Sequence, residues 1–405
     1  MSALSIQLER VTHHFAELKK INSGSKGYTR AAYSREEMTA KEWLMNRLQA
    51  LNVPVKLDAA KNVIARFGPD EGPALAFGSH LDTVIEGGLY DGALGVIAGL
   101  EIIETLVEQS IELPIPIELI CFTGEEANPL GGTFGSRAMA GIIEPSLEYE
   151  DKLKEFGFDS SSLLEARRSK SDFLCYLELH IEQGEVLEKN NQSIGIVTSI
   201  AGMIRFQVKI IGRASHSGTT PMNLRNDALV QAAQVIQAVN EIAKSRGEDI
   251  VATVGEISIF PNMANVVPGE AELLVEVRGS EWGKMKDVER EITEWIKKNI
   301  KQTETSTIVE KKPNIMEKRI QTDIEKACEM LGLSYRYMLS GANHDANSMS
   351  HLTETGMIFV QSHHGISHHP DEYTSWEEIE KGINVMLHTV CSLANQYAIQ
   401  FEKIK

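Results

Sequence analysis

Four short stretches concentrate the side chains able to bind metal or move protons. The first is "GSHLDTVIEGGLYDG", residues 78–92, where His80, Asp82 and Asp91 stand among four glycines directly after the apolar run "ALAFGS". His80 and Asp82 are two residues apart, so on extended backbone they point to the same side. A ligating imidazole usually gives its second ring proton to a carboxylate, which fixes tautomer and ring direction, and Asp82 suits that task. Gly87, Gly88 and Gly92 permit a tight turn that returns Asp91 to the same point, at the start of the next helix. The second stretch, "CFTGEEANPLGG", ends a strand-like run with Glu125 and Glu126. Adjacent carboxylates at a strand end face different ways, so one can hold metal while the other handles a proton. "LELHIEQG" places His180 after a third apolar run, and "HHGISHHPDE" adds histidines near the C-terminus. Imidazole and carboxylate donors without thiolate suit zinc, manganese or cobalt; spacing alone does not separate one ion from two.

Taken singly, each group has a plainer role: a hydrogen-bonded loop pair, solvated charge after a strand, a core histidine. What argues for one site is that every group falls at the end of an apolar strand run, where α/β active sites lie. "VPVKLDA", "NVIARFG", "ALAFGS" and "PIPIELICFTG" read as strands, while residues 3–21, 35–51 and "GALGVIAGLEIIETLVEQS" carry helical periodicity. Strands alternating with amphipathic helices predict an α/β domain. Residues 142–172 are more polar and read as a helical surface excursion.

From residue 203 the pattern changes. "MIRFQVKIIG", a helix over 225–246, "IVATVGEISIF", "GEAELLVEVRG", a helix over 282–300 and "TSTIVEKKP" follow the order βαββαβ, the ferredoxin-like arrangement. After residue 316 a helix and the strand "TGMIFVQ" return to the first style. The expected organisation is a catalytic domain from 1–209 and 317–405, with a smaller domain inserted at 210–316.

A chain of 405 residues exceeds one ordinary core, which agrees with two domains. The formal net charge of −17 argues against nucleic acid or an anionic membrane surface as the main partner. A small anionic substrate stays compatible, because a local arginine or metal ion reverses the field inside a pocket. Four scattered cysteines without a C-x-x-C pair point to a reducing cytoplasm rather than a disulfide framework. The N-terminus reads as a charged amphipathic helix, not a signal peptide, and no apolar stretch reaches the ~18 residues of a membrane span.

With these motifs together, the sequence resembles the dinuclear-metal aminoacylase/carboxypeptidase family, in its branch of N-carbamoyl-L-amino-acid hydrolases, allantoate amidohydrolases and ureidopropionases. The resemblance runs through "GSHLDTVIEGGLYDGALGV", "FTGEE", "LELHIEQG", "SHSGTTPMNLRNDAL", "NVVPG", "SGANHDA" and "GISHHPDE", in family order. It implies a mixed-sheet metallohydrolase domain with helices on both faces and a ferredoxin-like lid and dimerisation domain. It implies two divalent ions (Zn, Mn or Co), one held by His80 and His180, the other by Glu126 and His368, with Asp91 bridging. Glu125 is implied as the general base that deprotonates the attacking water and later protonates the leaving nitrogen. His216 is implied as the lid histidine that reaches the partner copy's site and stabilises the oxyanion, which makes a homodimer part of the mechanism. Asn265 and Arg278 match residues that hold the substrate α-carboxylate, and Gln183 and His344 are placed near the reacting group. His363, His364 and His369 are read as loop residues beside His368.

The implied reaction is hydrolysis of a linear amide C–N bond in an N-carbamoyl-L-amino acid, releasing ammonia, carbon dioxide and the amino acid. Allantoate, an N-acyl amino acid and a dipeptide are the alternatives; a non-catalytic binding protein is disfavoured by the presence of Glu125 and Asp91. Three departures bear on substrate rather than on catalysis: "EEANPLGG" after the paired glutamates, Asn343 where glycine is usual, and Gln361 for the usual proline.

Overall fold

A computed structural model describes residues 4–402 apart from 145 and 248. The chain forms two compact units, 1–198 with 316–405, and 199–315.

The larger unit is built on a mixed sheet. Its strands run in the order Val55–Leu57, Val63–Phe67, Ile117–Phe122, Ala74–His80, Phe173–Ile181, Thr355–Val360 and Ile194–Ile200, with Tyr335–Ser340 beside the last. The four central strands from Ile117–Phe122 to Thr355–Val360 are parallel, and the flanking pairs are antiparallel. Three of these four are wholly buried and the other nearly so, which is why they read as unbroken apolar runs. Side chains alternate across the sheet. Cys175, Leu177 and Leu179 join the main core with the helices Ala93–Glu108 and Trp376–Glu402. Tyr176, Glu178 and His180 face the other way, where Ala346 of the helix Asp345–Met349 donates its N–H to Glu178. Helices therefore cover both faces, and the parallel strands end together on one edge.

Residues 142–172 are helical as expected but form more than a surface excursion. The helices Leu147–Glu155 and Ser160–Ala166 enclose a second small core, in which Leu153, Phe158 and Leu163 pack with Leu130 and Phe134. Few apolar residues suffice because the cluster is local.

The smaller unit has a four-stranded antiparallel sheet in the order Thr303–Lys311, Gly202–Ile211, Glu270–Gly279, Ile250–Phe260, with the helices Ala228–Lys244 and Trp282–Asn299. Strict alternation of burial along Gly202–Ile211 and Glu270–Gly279 puts one face against the helices. Gly202–Ile211 lies between two strands of this sheet, so the division falls at 199, not at 210. Entry and exit of the unit are adjacent: Asn314–Ile315 pairs antiparallel with Ser199 and Ile200.

All four cysteines are free thiols, three of them buried. Among the described residues no helix is long and apolar enough to cross a membrane.

Candidate metal centre

Three imidazoles converge on Asp91 at the carboxyl ends of the parallel strands. His80 closes Ala74–His80, His180 is the penultimate residue of Phe173–Ile181, and His368 follows Thr355–Val360 through a turn. Asp91 Oδ1 lies 3.2 Å from His180 Nε2 and 3.7 Å from His80 Nε2, while Oδ2 lies 3.2 Å from His368 Nε2. His368 Nε2 is also 3.5 Å from Glu126 Oε1. Two donor groups result, His80–Asp91–His180 and Asp91–Glu126–His368, each with its ligand atoms within 4.8 Å of one another. One carboxylate thus turns a separate oxygen toward each group.

The surroundings fix this arrangement. His80 Nδ1 lies 3.0 Å from the main-chain oxygen of Asp82 and 3.5 Å from its carboxylate. The Asp82 carboxylate is engaged elsewhere, accepting the N–H groups of Glu125 (3.1 Å) and Glu126 (3.0 Å). Asp82 therefore aims His80 through its backbone and clamps the glutamate pair with its side chain. Asp91 Oδ2 accepts from Gln183 Nε2 at 2.7 Å and Ser367 Oγ at 2.9 Å. The N–H groups of Tyr90 and Asp91 donate to Glu372, against which a Cβ on Gly88 would collide. Arg30, fully buried, donates Nε to the Leu81 carbonyl; burial lowers its pKa to about 10 against the opposing pull of Asp82. Gln183 and His368 both hold positive φ, 57° and 56°, a strained state for non-glycine residues that tends to occur at functional sites.

At Gly92 (φ 65°) an added Cβ would overlap the His80 ring. Gly92→Ala is accordingly expected to displace His80 and weaken metal binding at least tenfold, measured as metal retained after dialysis. Wild-type retention would remove the close approach at Gly92 from the account.

Glu125 stands beside the groups, its Oε2 3.6 Å from His80 Nε2. Burial first, then the charges of Asp345 and Glu126, hold its carboxyl well above the usual range despite His80. Burial and the Asp91 charge raise Glu126 to about 7. For Asp91 burial pushes upward, but hydrogen bonds from His180 and His368 outweigh it and leave the group well below the carboxylate range. His368 rises to about 9, chiefly through its bond to Asp91. Glu126 Oε1 is buried without a hydrogen-bond partner. A crowd of buried carboxylates with a free acceptor and three facing imidazoles fits divalent cations, which neutralise such charge.

His344 packs edge-on against His180, centroids 4.6 Å apart, with Nε2 2.8 Å from Ser340 Oγ. Burial first, then His180, holds it well below the ordinary imidazole range, so it is a neutral ring behind the centre. In the smaller unit, His216 and Asn265 are exposed neighbours: His216 pairs with Val266, and Ser217 N–H donates to the Asn265 carbonyl. Arg278 lies near the far end of Glu270–Gly279, bonded through Nε to Glu276 at 2.7 Å. Eight residues of extended strand, roughly 26 Å, separate it from the end that leads to Asn265. Within one chain these two do not meet.

Glu372, Ser367 and Arg30 escaped residue-by-residue reading. Ser367 and Glu372 lie inside "GISHHPDE", so their proximity to His368 was the available signal; Arg30 had none.

Residues 76–392 match the family model described as "Peptidase family M20/M25/M40". The chain belongs to that family. Its members are metal-dependent hydrolases, and the protein is a hydrolase of amide bonds. It is similar to an N-carbamoyl-L-amino acid amidohydrolase of Geobacillus stearothermophilus, at 37% identity over 96% of this chain and 99% of the relative. An allantoate amidohydrolase of Escherichia coli is 30% identical over 91% and 94%. A crystal structure of a hydantoinase/carbamoylase family amidase from Burkholderia multivorans superposes with TM-score 0.87 at 29% identity, covering 97% and 99%.

Proposed function

We propose that the protein hydrolyses the C–N bond of a ureido acid, with N-carbamoyl-L-amino acids as the leading substrates and allantoate as the near alternative. For a carbamoyl amino acid, one water is consumed and the amino acid, ammonia and carbon dioxide are released. The observation that carries this is the Asp91 carboxylate shared by two imidazole-carboxylate groups with Glu125 beside them; the two relatives supply the substrate class. When bound, two divalent ions (Zn, Mn or Co) would polarise the carbonyl and acidify water. His80, Asp91 and His180 would hold one, and Asp91, Glu126 and His368 the other. Glu125 accepts the proton of the attacking water and delivers it to the leaving nitrogen. The Gln183 side-chain oxygen, buried without a partner, is an acceptor suited to a substrate N–H.

The smaller unit is proposed as lid and dimerisation domain, with His216 stabilising the oxyanion and Asn265 and Arg278 holding the α-carboxylate. Arginine suits that task through its planar fork. Because Asn265 and Arg278 lie far apart in one chain, joint contact with one carboxylate requires two copies. Exposed apolar side chains support that reading: the edge strand Ile250–Phe260 exposes Val251, Ile257 and Phe260, and the helix Ala228–Lys244 exposes Val230 and Ile236. The free thiols accord with a cytoplasmic setting.

The test is ammonia release by the manganese-, zinc- or cobalt-loaded protein from carbamoyl-L-amino acids, allantoate, acetyl amino acids and dipeptides. Ammonia from either ureido class is expected. Free amine from the acetyl compounds or dipeptides alone would keep the centre and discard the substrate.

A further inference from the structure

Away from Asp91, the turn His363–Gly365 and the short helix Val186–Lys189 bring together a second set of nitrogen and oxygen donors. His363 Nδ1 is 2.7 Å from Glu188 Oε1, and His364 Nδ1 is 3.9 Å from Glu188 Oε2. The two rings lie beside one another, centroids 3.9 Å apart. Successive residues on extended backbone point to opposite faces. Here His364 adopts φ 54°, the left-handed region, and both imidazoles end up at one carboxylate. Ligand atoms of Glu188, His363 and His364 all lie within 4.8 Å of one another. Their side chains are 31%, 51% and 68% exposed, so an ion reaches them directly from solvent.

We propose that Glu188, His363 and His364 form a further divalent-cation site, separate from the centre around Asp91. Two imidazoles and one carboxylate, with water completing the shell, select zinc, nickel or copper over calcium or magnesium. Glu188 follows Gln183 by five residues, and His364 precedes His368 by four. An ion here ties the segment that carries Gln183 to the turn that leads into His368, and so stiffens two parts of the active site without touching substrate. Glu188 also accepts the His364 N–H at 2.8 Å, so a purely mechanical clamp is the competing account.

The discriminating experiment uses the full chain, with zinc as probe, and the variant His363→Gln/His364→Gln, whose amides keep a donor for Glu188. After dialysis against micromolar zinc, elemental analysis is expected to find one zinc fewer per chain in the variant. Turnover of the variant with manganese is expected to match wild type, which shows the Asp91 centre intact. Zinc is also expected to raise Tm more in wild type than in the variant. Equal zinc content in the two proteins overturns the site and leaves Glu188 as a clamp. Should the double variant misfold, Glu188→Gln decides: about tenfold weaker zinc binding supports the site, and unchanged binding overturns it. None of these readings depends on which amide is the substrate.

Discussion

Replacing Glu125 by glutamine is expected to lower kcat by roughly 10²–10⁴-fold while metal content and KM stay near wild type. Glutamine preserves shape, and the main-chain bond from Glu125 to Asp82 is untouched. Glu125 belongs to neither donor group around Asp91, so the ligands stay in place. What disappears is a carboxylate able to take a proton beside His80, 3.6 Å away. Its buried position raises its proton affinity, which suits a group that must accept a proton and then return it. Steady-state kinetics alongside elemental analysis make the check. A variant with near-normal kcat would assign the proton transfer to another group.

Asp91→Asn is expected to cost more. Asparagine keeps the volume but removes the only charge common to both donor groups. The three imidazoles then face one another without their shared counter-charge, and Glu126 loses the carboxylate across His368. If two ions are held as proposed, both should leave together under dialysis that keeps wild type loaded, with turnover falling on the order of 10⁴-fold or more, since water and carbonyl both lose their activation. Circular dichroism is expected to stay unchanged, because the Asp91 main-chain bond to Glu372 remains. Loss of half the metal would show that Asp91 serves one ion; full retention would remove it from the ligand set.

His80, His180 and the Glu125–Glu126 pair were legible because they stand at or just past the ends of strands buried on nearly every residue, Asp91 because glycines let its loop turn back, and His368 only through the family resemblance. Burial makes such strands apolar without interruption, and a histidine or paired glutamate at the end of one stands out. The supporting groups were not legible in that way. Ser367 and Glu372 are loop residue types found everywhere, and Arg30 carries no motif; only their burial marks them. Asp82 was expected to orient His80 through its carboxylate; instead its main-chain oxygen lies 3.0 Å from His80 Nδ1 and the carboxylate accepts the N–H groups of Glu125 and Glu126, a distinction that depends on the position of another loop. Strand Ile194–Ile200, strand Tyr335–Ser340 and the long helix Trp376–Glu402 also escaped reading. Tyr335–Ser340 is mostly half-buried, which blurs its pattern, whereas Ile194–Ile200 is buried but its apolar run is broken by Gly195, Thr198 and Ser199. Alternation along Gly202–Ile211 marked it as the first strand of the βαββαβ order, yet the expected boundary at 210 cut through it; its pairing with Glu270–Gly279 and Thr303–Lys311 places the whole strand in the smaller unit.

The pairing of Asn314–Ile315 with Ser199 and Ile200 bears on how so divided a chain completes its sheet. Phe359 must find His180 across the whole inserted segment. Were that segment an unstructured loop, closing it would involve about five doublings of length beyond a short turn, roughly 3 kcal/mol of chain entropy. A unit that folds first, with its two ends side by side, removes that penalty. To the strands on either side, the insertion then behaves as a hairpin turn, and parallel pairing proceeds as though residues 198 and 316 were near neighbours in the chain.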